Sequence, residues 1–140
     1  MSLANTTRLR VGAVTCLVAW GFSLLLPAVN VVAGPELSGG RLLREGWRIV
    51  DYGVVAWFAN PLFLASCLLG LWGRPQLATP LAAIALLLAL TSFAAVSIAR
   101  AAGASVPDIS WMPGFYLWLA SLFAWCVWAT LHLRRHIAVQ

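Results

Sequence analysis

The 140-residue chain is 62% hydrophobic and 9% charged, against the roughly 25% charged residues of ordinary soluble domains, which excludes a water-soluble fold with a conventional polar surface. Its formal charge of +5 comes from arginine alone, and the arginines are scattered between apolar runs instead of gathered on one face, which excludes nucleic acid as a partner. The arginines read as topology signals, and a lysine-free, alanine- and leucine-rich composition points to a GC-rich bacterial gene.

Arg8 and Arg10 stand immediately before an apolar run at residues 11–26, the first expected membrane helix. A signal peptide has the same shape, and Val31-Val32-Ala33 would serve as its cleavage site. The run is long for a signal core, so an uncleaved helix is the expectation, although cleavage within residues 1–33 stays open. Pro27 ends this helix, and a long connection to Tyr52 opens with the breakers Gly34, Pro35, Gly39 and Gly40.

Within that connection, a projection at 100° per residue over residues 41–50 puts Arg41, Arg44, Glu45 and Arg48 on one side. Leu42, Leu43, Trp47, Ile49 and Val50 fall on the other. The pattern predicts an amphipathic interfacial helix of about three turns, capped by Ser38 or the glycines.

The second membrane helix is expected over residues 53–72, about 20 residues, close to the length needed to cross ~30 Å of hydrocarbon. It carries Trp57-Phe58-Ala59-Asn60-Pro61. Pro61 lacks an amide hydrogen, so a kink is expected where the Trp57 carbonyl loses its partner. Asn60 must then hydrogen-bond a neighbouring helix, the freed backbone or water, or else contact a ligand at the kink.

After the turn at Gly73 to Gln76, a third helix is predicted over residues 77–99, with Pro80 in its first turn. Ala78, Ala82, Ala85, Ala89 and Ser92 recur on it at steps of four and three, a seam for close packing that places this helix centrally. A second connection, residues 100–113, precedes the fourth helix at residues 114–133. Trp111, Trp118 and Trp125 fall seven apart there, with Trp128 one turn on. The first two suit an interfacial belt, whereas Trp125 belongs near the bilayer middle. The strip is either packing filler or a groove for a lipid, a quinone or a partner helix.

Four crossings put Arg8, Arg10, Arg74, Arg134 and Arg135 on one side, and Arg41, Arg44, Arg48 and Arg100 with all four acids on the other. The positive-inside rule then assigns both termini to the cytoplasm.

The chemistry is defined by exclusion. Cys16, Cys67 and Cys126 form no Cys-x-x-Cys pair, which argues against thiol oxidation. His132 and His136 have metal-pair spacing but no third ligand nearby, and no acid or base lies inside a membrane segment, which disfavours proton-coupled transport. No phosphate loop, dinucleotide fingerprint or nucleophile elbow occurs. No cofactor or bound metal is expected, and an enzymatic role is disfavoured but stays open.

Leu26-Pro27-Ala28, the segment Gly39 to Trp47 and Trp57 to Leu62 together resemble a loose group of small bacterial membrane proteins. That group carries a Gly-x-Leu-Leu-x-x-Gly-Trp loop and a Trp-x-Ala-Asn-Pro start to helix two. The resemblance covers roughly residues 24–63 and implies a four-helix inner-membrane fold without a known activity.

The expected architecture is therefore an all-α, up-down bundle of four transmembrane helices forming one domain, plus one short interfacial helix. The expected function is that of a non-enzymatic accessory or binding protein of the inner membrane, packing against lipid and against another membrane protein or itself. Two alternatives stay open: an immunity-type protein that occupies a membrane-acting toxin, and a carrier or lipid-handling enzyme for a lipid or small anion. Candidate contact residues are Asn60, Pro61, Trp57, Arg41, Arg44, Arg48, Trp118 and Trp125.

Overall fold

The computed structural model describes residues 3–31, 36–48, 55–103, 105 and 108–138. Helix α1, Leu3–Leu25, runs the length of the molecule. After the first connection, α3, Ala59–Leu71, runs back, led by a 3-10 turn at Ala56–Phe58. A tight turn containing Gly73, whose φ of 72° suits glycine, leads into α4, Pro75–Leu90. A 3-10 turn, Thr91–Ala94, and α5, Ala95–Ala101, continue this path, and α6, Pro113–Ile137, returns.

The four paths pack as a square. Helix α1 lies against α3 and α6, and α4 lies against the same two, so α3 and α6 face each other across the diagonal. Among the described residues three segments are long and apolar enough to cross a membrane: Thr6–Leu25, Pro75–Ile98 and Pro113–Arg135. The stretch Ala56–Leu71 is apolar but shorter, roughly 25 Å at helical and 3-10 rise. Large apolar side chains such as Val14, Phe22, Leu87, Phe123 and Leu131 point outward, as expected of a bundle whose solvent is lipid.

The stripe Ala78, Ala82, Ala85 and Ala89 is buried, with Ser92 at its end. Small residues let α4 approach both neighbours, and α4 occupies a corner like the other three instead of the centre. The space released on the diagonal is filled by Trp125, which is 0% exposed and packs over Gly70, where a Cβ would overlap its ring. Pro80 lies inside α4, not in its first turn, because the helix begins earlier, with Pro75 at its start.

The fold is not all-α. Strands β1, Pro27–Val31, β2, Leu37–Ser38, and β3, Ile109–Trp111, form an antiparallel sheet in the order β2-β1-β3. Val29 pairs with Trp111 and Val31 with Ile109, which ties the first connection to the second. The reason is proximity: α1 ends where α6 begins, and backbone groups at the edge of an apolar bundle are cheaper paired than bare. The amide of Met112 donates to the Ala28 carbonyl and that of Gly39 to the Leu26 carbonyl, extending the same closure.

Helix α2, Gly39–Glu45, follows β2 directly. Ser38 caps it, accepting from the Arg41 amide at 3.3 Å. It begins earlier than residue 41 because the cap admits both glycines to the first turn. Its regular part ends at Glu45, and a 3-10 turn covers residues 46–48. Residues 49 and 50 of the expected helix, and 53 and 54 of the second membrane helix, lie outside the described residues.

Candidate functional site

Asn60 is the junction of the end of the bundle that carries the sheet. Its Oδ1 accepts from the Trp20 indole at 3.1 Å and from the Trp118 indole at 2.9 Å, so α1 and α6 both bond α3 through one carbonyl oxygen. Its Nδ2 donates to the Trp57 carbonyl at 3.3 Å, the group that an amide at position 61 would otherwise serve. Pro61 thus produces no mid-helix kink. It stands in the first turn of α3, where amides have no intrahelical acceptor, and Asn60 supplies the missing donor.

A second rung lies two turns deeper. Trp125 donates to the Ser66 hydroxyl at 2.7 Å, and Ser66 donates to the Ala78 carbonyl at 2.6 Å. Helices α3 and α6 run in the same direction across the diagonal, so the seven-residue step from Trp118 to Trp125 matches the six-residue step from Asn60 to Ser66. Trp118 is therefore a half-buried bonding residue of the bundle. Trp128 instead bonds the Arg8 carbonyl at 3.3 Å near the other end.

Over the first turn of α3 lies a cavity of about 340 Å³. It exists because α3 starts late while α1, the α4–α5 path and α6 continue beside it. The sheet and α2 cover it, and Trp57 pins α2 in place through an indole bond of 2.7 Å to the Leu43 carbonyl. Leu42, Leu43, Val29, Val96, Ile109 and Phe115 supply much of its wall. One side is aromatic, with Trp111 stacked on Phe115 at 4.0 Å and Phe93 edge-on to both.

Among the described residues no charged side chain lines the cavity; its polar liners include Ser92, and Asn60 and Ser23, whose polar atoms are already engaged, Ser23 on the Trp20 carbonyl at 2.6 Å. An occupant gains little from polar groups there and much from apolar contact. Of the residues singled out in the sequence, Trp57, Asn60 and Trp118 line the cavity. Pro61 and Trp125 do not, and Arg41, Arg44 and Arg48 stand on the opposite, exposed side of α2. Val29, Val96 and Ile109 were not foreseen, since nothing in an apolar membrane sequence separates a cavity wall from a lipid-facing side.

At α2, Arg41 bonds Glu45 at 3.2 Å and Arg44 reaches it at 3.5 Å. These contacts, Arg41 first, hold the Glu45 carboxyl below the ordinary carboxylate range. Arg100 is bonded to Asp108 at 2.7 Å. Among the described residues no cluster could hold a metal ion. His132 Nδ1 lies 3.0 Å from the Trp128 carbonyl, and the His136 side chain lies outside the described residues.

No family model, curated protein or solved structure matches the chain.

Proposed function

We propose that the chain is a non-enzymatic binding protein of a bacterial inner membrane, crossing four times with both termini in the cytoplasm, which holds an apolar segment of another membrane component in the cavity beneath its outer sheet. The observation that carries this reading is the cavity itself: about 340 Å³ of uncharged space, ringed by aliphatic and aromatic side chains, at the end of the bundle. Among the described residues its wall holds no acid, base or thiol, and its hydroxyls are those of Ser23 and Ser92. Its uncharged, aliphatic and aromatic wall suits a hydrocarbon chain, which needs no polar partner for its length.

An uncharged alkyl diazirine added to membranes that contain the protein tests this. Photolysis should leave adducts on Val96, Ile109 or Trp111 as well as on the outward Phe123 and Leu131. Filling the cavity with Ala95→Phe should lower the first set several-fold and spare the second. Adducts confined to the outward set in the unaltered protein would end the proposal.

A further inference from the structure

We infer that the occupant is one acyl chain of an anionic phospholipid whose phosphate rests on Arg41 and Arg44 of α2 and Arg48 of the turn after it; this rests on the cavity being a binding site. Helix α2 and the turn after it separate two chemistries across one helix diameter. Leu42, Leu43 and Gly46 face the cavity, while Arg41, Arg44 and Arg48, at positions i, i+3 and i+7, share the exposed side. An occupant with an uncharged chain and an anionic head matches both.

The charge is available. Arg41 and Arg44 share one carboxylate, Glu45, and the Arg44 contact, at 3.5 Å, is the longer of the two, with its side chain 79% exposed. At the same end, Asp108 is engaged by Arg100. Among the described residues, α2 and the turn after it carry three exposed arginines and the single carboxylate of Glu45. Guanidinium forks suit phosphate oxygens, and clustered basic residues at a membrane surface attract anionic lipid. The helix is also held rigidly enough to present them, by the Ser38 cap at one end and the Trp57 bond beneath.

Native mass spectrometry of the detergent-purified protein, titrated with phosphatidylglycerol or phosphatidylcholine of identical acyl chains, provides the test. One phosphatidylglycerol should be retained, about tenfold more tightly than phosphatidylcholine. The triple change Arg41→Gln, Arg44→Gln and Arg48→Gln, all on an exposed side, should erase that preference and leave weak binding of both lipids. Glu45→Gln, which frees Arg41 and Arg44, should widen it. Ala95→Phe, or Val96→Phe if the first does not fold, should abolish retention of both. Retention that survives cavity filling would refute the cavity reading. Loss on filling with an unchanged headgroup preference in the triple variant would refute the arginine assignment alone.

Discussion

At the residue scale, the polar economy of the bundle rests on Asn60 and Ser66. Each takes tryptophan indoles that would otherwise lie unpaired in a low-dielectric interior, where an orphaned donor costs about 1–3 kcal/mol. Asn60→Leu strands the Trp20 and Trp118 indoles together and releases the Trp57 carbonyl. The expected loss is about 1–3 kcal/mol, because bonds inside membranes average only ~0.6 kcal/mol each and the orphaned donors add to that. Thermal unfolding in detergent checks this. Since both Asn60 oxygen bonds are already committed within the protein, the labelling of Val96 and Ile109 should persist below the lowered midpoint. An unchanged midpoint with lost labelling would instead make Asn60 a ligand contact. The seven-residue spacing of Trp118 and Trp125 is readable in the chain. Their acceptors are not, because they lie 58 and 59 residues away and depend on which helices share the diagonal.

At the scale of elements, α2 is the piece whose stability depends most on what it covers. Seven residues of helix do not hold in water on their own, so its order comes from the Ser38 cap and from burying Leu42 and Leu43 over the cavity. Leu43→Asp should therefore raise amide exchange across Gly39–Glu45 at least several-fold, read by mass spectrometry, while exchange in α6 stays slow. Uniform protection would mean that the cap and the Trp57 bond suffice. The amphipathic period made this helix legible, as did the alanine seam of α4. The sheet was not legible. β1 and β3 are five and three residues long, and their pairing is fixed only when the end of α1 meets the start of α6, a contact between residues some 80 apart. Pro61 was misread for a related reason: an apolar run shows that a helix passes through, but its first turn is set by the chain in front of it.

At the scale of the whole molecule, the shortness of α3 decides how the threading should be tested. Among the described residues three segments reach full membrane length, and three crossings would leave the termini on opposite sides. The proposed four crossings draw on the packing of the helices instead. Trp128 of α6 bonds the Arg8 carbonyl of α1, and Arg10 bonds the Leu71 carbonyl at 2.8 Å, so the start of α1, the end of α3 and the end of α6 share one end. Trp20 bonded to Asn60 fixes the other end, so α3 runs beside α1 over most of its length. In the proposed four-crossing threading, a path of roughly 25 Å beside neighbours of full length requires local thinning of the bilayer, with the cavity, sheet and α2 stacked over its start. Arg8, Arg10, Arg74, Arg134 and Arg135 then gather at the end that holds the termini. Single cysteines in a background cleared of Cys16, Cys67 and Cys126 make the test direct. Glu36→Cys and Ser105→Cys should react with an impermeant maleimide from the periplasmic face, and Gln76→Cys only after the membrane is opened. Reaction of Gln76→Cys from outside would invert or break the threading, and would move the proposed arginine contacts of α2 to the opposite leaflet.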